Sequence, residues 1–247
     1  MIKYLRKIRH KLLDEGNLKR YLIYATGEIL LVMIGILLAL QINNWNEWRK
    51  DRVKEKVILN DLAKNIEFNI QTFEDDIKSL QHWNYSSSIV ISALKNKHVY
   101  SDSMRKHLHL ARVTKQDLFL SSIGYQAYKD KGLDIITNKS LSKEIINLYE
   151  VTVPKNLSTN KLVNESYPEF DNHVVQNFEF IQANSNEGDL TPHDYKSLFS
   201  DHFYISWIKA YGQGRLYLIK TDKALIEECK RVLKLINTEL NIKYPNG

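Results

Sequence analysis

The sequence predicts an all-α protein: an N-terminal transmembrane helix continuing into a soluble antiparallel helical bundle. Three observations predict it. An apolar run of membrane-spanning length lies near the N-terminus, the apolar positions behind it recur at helical steps, and turn residues are scarce. Nine Gly and four Pro in 247 residues leave little punctuation for a many-turned sheet. No alternating run of useful strand length and no internal repeat is found. A chain of this size can bury a sizeable core behind its anchor.

Charge separates the regions. Of the formal +6, residues 1–20 carry seven Lys/Arg against Asp14 and Glu15, whereas residues 43–247 hold 28 basic and 26 acidic side chains with no single-sign stripe. Phosphate-backbone binding needs a clustered basic face, so no nucleic-acid partner is expected. Anionic lipid headgroups suit the first twenty residues. Cys229 is the only cysteine, which excludes an internal disulfide and is neutral between cytoplasm and periplasm.

The chain divides into a basic amphipathic juxtamembrane segment (1–20), a transmembrane helix (21–44) and a soluble helical domain (45–247). In the first, Ile2, Leu5, Ile8, Leu12 and Leu13 recur at near-helical spacing with Lys3, Arg6, Lys7, Arg9 and Lys11 between them, a pattern that lies along an inner leaflet. Gly16 and Asn17 allow the turn into the span. Residues 22–42 contain only Thr26, Glu28 and Gln41 as clearly polar groups, and at about 1.5 Å per residue they cover the roughly 30 Å hydrocarbon layer. Twelve Leu, Ile and Val at about −0.3 to −0.6 kcal/mol each outweigh one carboxylate at about +2.5 to +3.5 kcal/mol. Tyr21 and Tyr24 at one end, with Trp45 and Trp48 at the other, supply the interfacial aromatic belts. A cleaved signal peptide would need small residues at its cleavage site; Leu40-Gln41-Ile42-Asn43-Asn44 has bulky ones, so the segment reads as an uncleaved signal anchor. Seven Lys/Arg precede the span and five follow closely (Arg49, Lys50, Arg52, Lys54, Lys56), which places the N-terminus in the cytoplasm and the domain in the periplasm.

The run Gly27-Glu28-Ile29-Leu30-Leu31-Val32, then Ile34-Gly35-Ile36-Leu37, then Ala39-Leu40-Gln41-Ile42-Asn43-Asn44-Trp45-Asn46-Glu47, behind a basic segment, resembles the start of a family of uncharacterised single-span membrane proteins. That family, a domain of unknown function, is known from flavobacteria and other Bacteroidota. The resemblance covers about the first 50 residues, with a looser likeness over 125–149. It implies a bacterial inner-membrane protein and supplies no activity.

Beyond the membrane, Trp45, Trp48, Leu59, Leu62, Ile66, Ile70, Phe73, Ile77 and Leu80 continue the helix as a stalk. Ser86-Ser87-Ser88 reads as an interruption before 89–97. Ser101 caps a short helix through Met104, Leu108 and Ala111. A second helix runs from Ser122 to Lys131, with Gly132 as its stop, and Asn138 caps a third carrying Leu141, Ile145 and Leu148. Pro154 suits a first helical turn and Pro168 a break, after which Phe170, Val174, Phe178 and Ile181 resume the stripe. Residues 183–194 form the clearest loop. Asp201 starts a long last helix through Tyr204, Ile208, Tyr211, Leu218, Leu225, Cys229, Val232, Ile236 and Leu240, with Gly212 and Gly214 as bend points. Long helices at both ends of the domain suggest an antiparallel bundle.

Candidate chemistry is sparse, and no catalytic, cofactor-binding or metal residue is assigned. Glu28 is the most pointed residue, because an intramembrane carboxylate is a functional hypothesis by default. Gly27, Glu28, Leu31, Gly35 and Ala39 form the candidate face for membrane helix association, since Gly35-x-x-x-Ala39 lets helices approach closely; the bland alternative is a Glu reaching the headgroups. Gln41, Asn43, Asn44 and Asn46 read as wetted interfacial residues. His107 and His109, two apart, point to different helix faces and cannot clamp a metal. Ser200-Asp201-His202 has triad residue types but reads as a cap. Gly212-Gln-Gly214 lacks the strand and further glycine of a dinucleotide loop. Cys229 reads as core.

The expected function is therefore a non-enzymatic, membrane-anchored helical domain of unknown role in the cell envelope, serving interaction or structure. Its partners are the lipid bilayer and either a second copy or another membrane protein. The alternatives are a membrane-tethered envelope enzyme and a small-molecule sensor bundle lined by Trp83, Trp207 or the tyrosines.

Overall fold

The computed structural model describes residues 18–114, 118–163, 165, 167–181 and 188–245; the expected juxtamembrane helix over 2–13 lies outside them. The chain falls into two compact units, residues 1–55 and residues 56–247. Most of it is helical. Helix α1 is Leu18–Lys95, followed by α2 Met104–Arg112, α3 Ile123–Lys131, α4 Lys139–Asn147, a π-helical turn Leu148–Thr152, α5 Val153–Val163, α6 Pro168–Asn177, strands β1 Phe178–Ile181 and β2 Asp189–Pro192, a 3-10 turn Ser197–Phe199, and α7 His202–Lys243.

In the first unit α1 is apolar and uncovered over its spanning stretch. The second unit begins where the apolar stripe starts to be buried, at Ile58 and Leu59. There α1 and α7 run antiparallel: Lys56 lies over the Tyr244 ring, Lys230 pairs with Glu74 at 3.7 Å and Arg215 reaches the Trp83 carbonyl at 3.2 Å.

Two cores fill the second unit. One gathers Leu59, Leu62, Ile66, Phe73 and Leu80 of α1 with Tyr128, Ile145, Leu218, Val232 and Ile236. The other gathers Val90 and Leu94 of α1 with Leu108, Phe170, Val174, Phe178, Leu190, Tyr204 and Ile208.

Local chemistry sets several boundaries as expected. The Leu141 N–H donates to the Asn138 side chain at 3.1 Å, and the Tyr204 N–H donates to Asp201 at 2.9 Å, so both caps form. Pro168 opens α6, Pro154 sits in the first turn of α5, and Gly132 ends α3 with φ of +92°, where only glycine is unstrained.

Four details differ from the sequence reading. The serines at 86–88 do not interrupt α1, because their hydroxyls are spent elsewhere: Ser87 donates to the Ala111 carbonyl at 3.3 Å, Ser88 to the Tyr85 carbonyl at 2.6 Å, and Ser86 bonds His107 at 3.2 Å. Ser103, not Ser101, precedes α2, and its side chain makes no cap bond. Phe178 and Ile181 are not on a helix: β1 pairs antiparallel with β2, Phe178 opposite Pro192 and Phe180 opposite Leu190, so part of the expected 183–194 loop is strand. Finally, α7 runs through Gly212 and Gly214. These glycines bring neighbours close: a Cβ at Gly212 would stand 3.2 Å from Asn84 Oδ1, and one at Gly214 3.0 Å from a Val163 methyl.

Candidate functional site

The anchor stretch of α1 is long and apolar enough to cross a membrane, a test that a signal sequence also passes, and none of its apolar window is buried. Steps of three and four residues put Glu28, Leu31, Gly35 and Ala39 on one face with Gly27 beside them. Leu31 is 73% exposed, Gly27, Gly35 and Ala39 are exposed and Glu28 is half-buried. A Cβ added at Gly27 or Gly35 would meet nothing within 4 Å, so the backbone is open at those two positions. At the belts Trp45 and Trp48 are exposed and Tyr24 is half-buried, while the Tyr21 side chain lies outside the described residues. Asn43 donates along the same helix to Glu47 at 3.2 Å.

At the junction of the two cores lies a cation with no counterpart among the sequence candidates. Arg215 is buried. Its guanidinium donates to the Ser87 hydroxyl at 2.7 Å, to the Trp83 carbonyl, and to the Ala111 and Val113 carbonyls at 2.7 Å each. The last two belong to the C-terminal end of α2, where the helix dipole favours positive charge. Burial nonetheless pulls the Arg215 pKa down to about 10, because a charge leaving water is penalised even when hydrogen-bonded. Two turns further along α7, the fully buried Asp222 carboxylate accepts from Asn156 at 3.0 Å and Asn160 at 3.1 Å. These groups tie α1, α2, α5 and α7 together.

The second core is aromatic. Tyr204 packs its ring 5.1 Å from Phe178 and 5.9 Å from Phe170, and Trp207 lies 4.3 Å from Tyr167. At its edge His173 Nε2 is 2.6 Å from Asp201 Oδ2. Asp201, expected as a cap, therefore also orients an imidazole, whose ring lies 5.0 Å from Phe203. Adjacent Ser200 turns away, donating to the Ser197 carbonyl at 3.3 Å. Sequence reasoning could not join His173 to Asp201, since they come from different elements.

A groove of about 610 Å³ runs between α1 and residues 119–123, lined by Phe68, Phe119 and Ile123 with Asn65 and Ser121. Asn69 holds it open as a side-chain copy of a peptide: it accepts from Ser121 N–H at 2.7 Å and donates to the Ser121 carbonyl at 2.9 Å. Phe119 is 87% exposed.

The remaining candidates have structural places. His107 is held by Ser86, and burial pulls its pKa down. Cys229 is buried in the first core, and burial pushes its thiol up to about 12. Among the described residues no group of three His, Cys, Asp or Glu is placed to hold a metal.

A family model described as a family of unknown function (DUF6090) matches residues 28–190, from Glu28 in the apolar stretch to Leu190 in β2. No curated protein and no solved structure matches the chain.

Proposed function

We propose that this chain, which belongs to the DUF6090 family of unknown function, is a single-pass anchored protein of a bacterial inner membrane. Its N-terminus is cytoplasmic, and its helical domain serves interaction or structure, not catalysis, in the periplasm. The observation that carries this reading is an apolar stretch of spanning length with none of its window buried by the chain. In water so large a greasy surface would be covered; in lipid it needs no cover. The charge excess before the span supports the orientation.

The face of Gly27, Glu28, Leu31, Gly35 and Ala39 then meets a second copy or another membrane helix. Small residues allow close backbone approach, and a carboxylate in lipid favours a hydrogen-bonding partner. Alkaline carbonate extraction of membranes tests the anchor: the protein should stay in the pellet, and its release would end this reading. A membrane-impermeant thiol reagent on a cysteine introduced between residues 183 and 194 tests the side, with labelling expected before the inner membrane is breached. Glu28→Gln should weaken self-association or co-purification with a membrane partner; unchanged association would remove Glu28 from that role.

A further inference from the structure

We draw no further inference here: the strongest candidate, the apolar groove between α1 and residues 119–123 lined by Phe68, Phe119 and Ile123, is an open face, and nothing in the structure shows what covers it.

Discussion

Around Phe73 several buried polar side chains are matched by described residues of the chain. The Tyr128 hydroxyl bonds Ser142 at 2.7 Å and the Leu133 carbonyl at 2.9 Å, and Asp222 accepts from two asparagines; the Tyr149 hydroxyl is one exception. Around Tyr204, the buried Tyr195 and Tyr204 hydroxyls have no hydrogen-bond partner among the described residues. Both places are hydrophobic cores of one helical unit, so burial alone does not separate them. The matched core has the character of a load-carrying joint, where polar groups specify how helices seat. The second core is held instead by ring packing, Tyr204 against Phe178 and Phe170.

Arg215, at the seam between the cores, offers the sharpest way to break that contrast. Arg215→Leu removes the donor on which Ser87 and the Trp83, Ala111 and Val113 carbonyls depend. Leaving a buried acceptor without its donor costs about 1–3 kcal/mol. Urea unfolding of the full-length protein, followed by far-UV circular dichroism, should show a loss of that order. A loss below about 1 kcal/mol would mean that the carbonyls find other donors and that the joint is not specified by this cation.

How much of this the sequence discloses depends on the range of each interaction. The anchor is legible because hydrocarbon thickness imposes a length, and residues 22–42 meet it with belts at both ends. The Asn138 and Asp201 caps are legible because a cap bond spans three residues. The hairpin is not: Phe178 and Ile181 fit a helical stripe as well as a strand, and the decision rests on Leu190 and Pro192 pairing from across a loop. Arg215 and the His173–Asp201 pair are hidden for a similar reason, since every partner belongs to a distant segment. An arginine on a polar-looking turn of α7 gives no local sign that α2 will end against it.

The tyrosines give a gentler probe of the same contrast. Burial pushes the hydroxyls of Tyr204 and Tyr149 well above their ordinary value. Each group holds its proton in the folded state at a pH where the unfolded chain has released it, so stability is full below the unfolded pKa near 10 and falls as pH rises past it. For Tyr204 the slope is about 1.4 kcal/mol per pH unit. Tyr204→Phe should therefore flatten the alkaline fall in unfolding free energy. A phenolate absorbance titration of the wild-type protein should show a subset of tyrosines ionising only as circular dichroism is lost. A smooth titration of all tyrosines in the folded protein would mean that water reaches the Tyr204 core.

Smallest in effect is a comparison of two helix starts. Asn138 caps α4 through the Leu141 N–H and also donates to Glu239 near the end of α7 at 2.7 Å, while Ser103 stands at the corresponding place on α2 and caps nothing. Asn138→Ala should cost about 1–2 kcal/mol, a lost cap together with a lost tie between helices, and Ser103→Ala should cost close to nothing. Both are read from the urea midpoint at unchanged slope. Equal losses would show that α2 relies on a cap formed in solution by Ser103. That result would weaken the distinction between a first core fixed by side-chain bonds and a second core held mainly by aromatic packing.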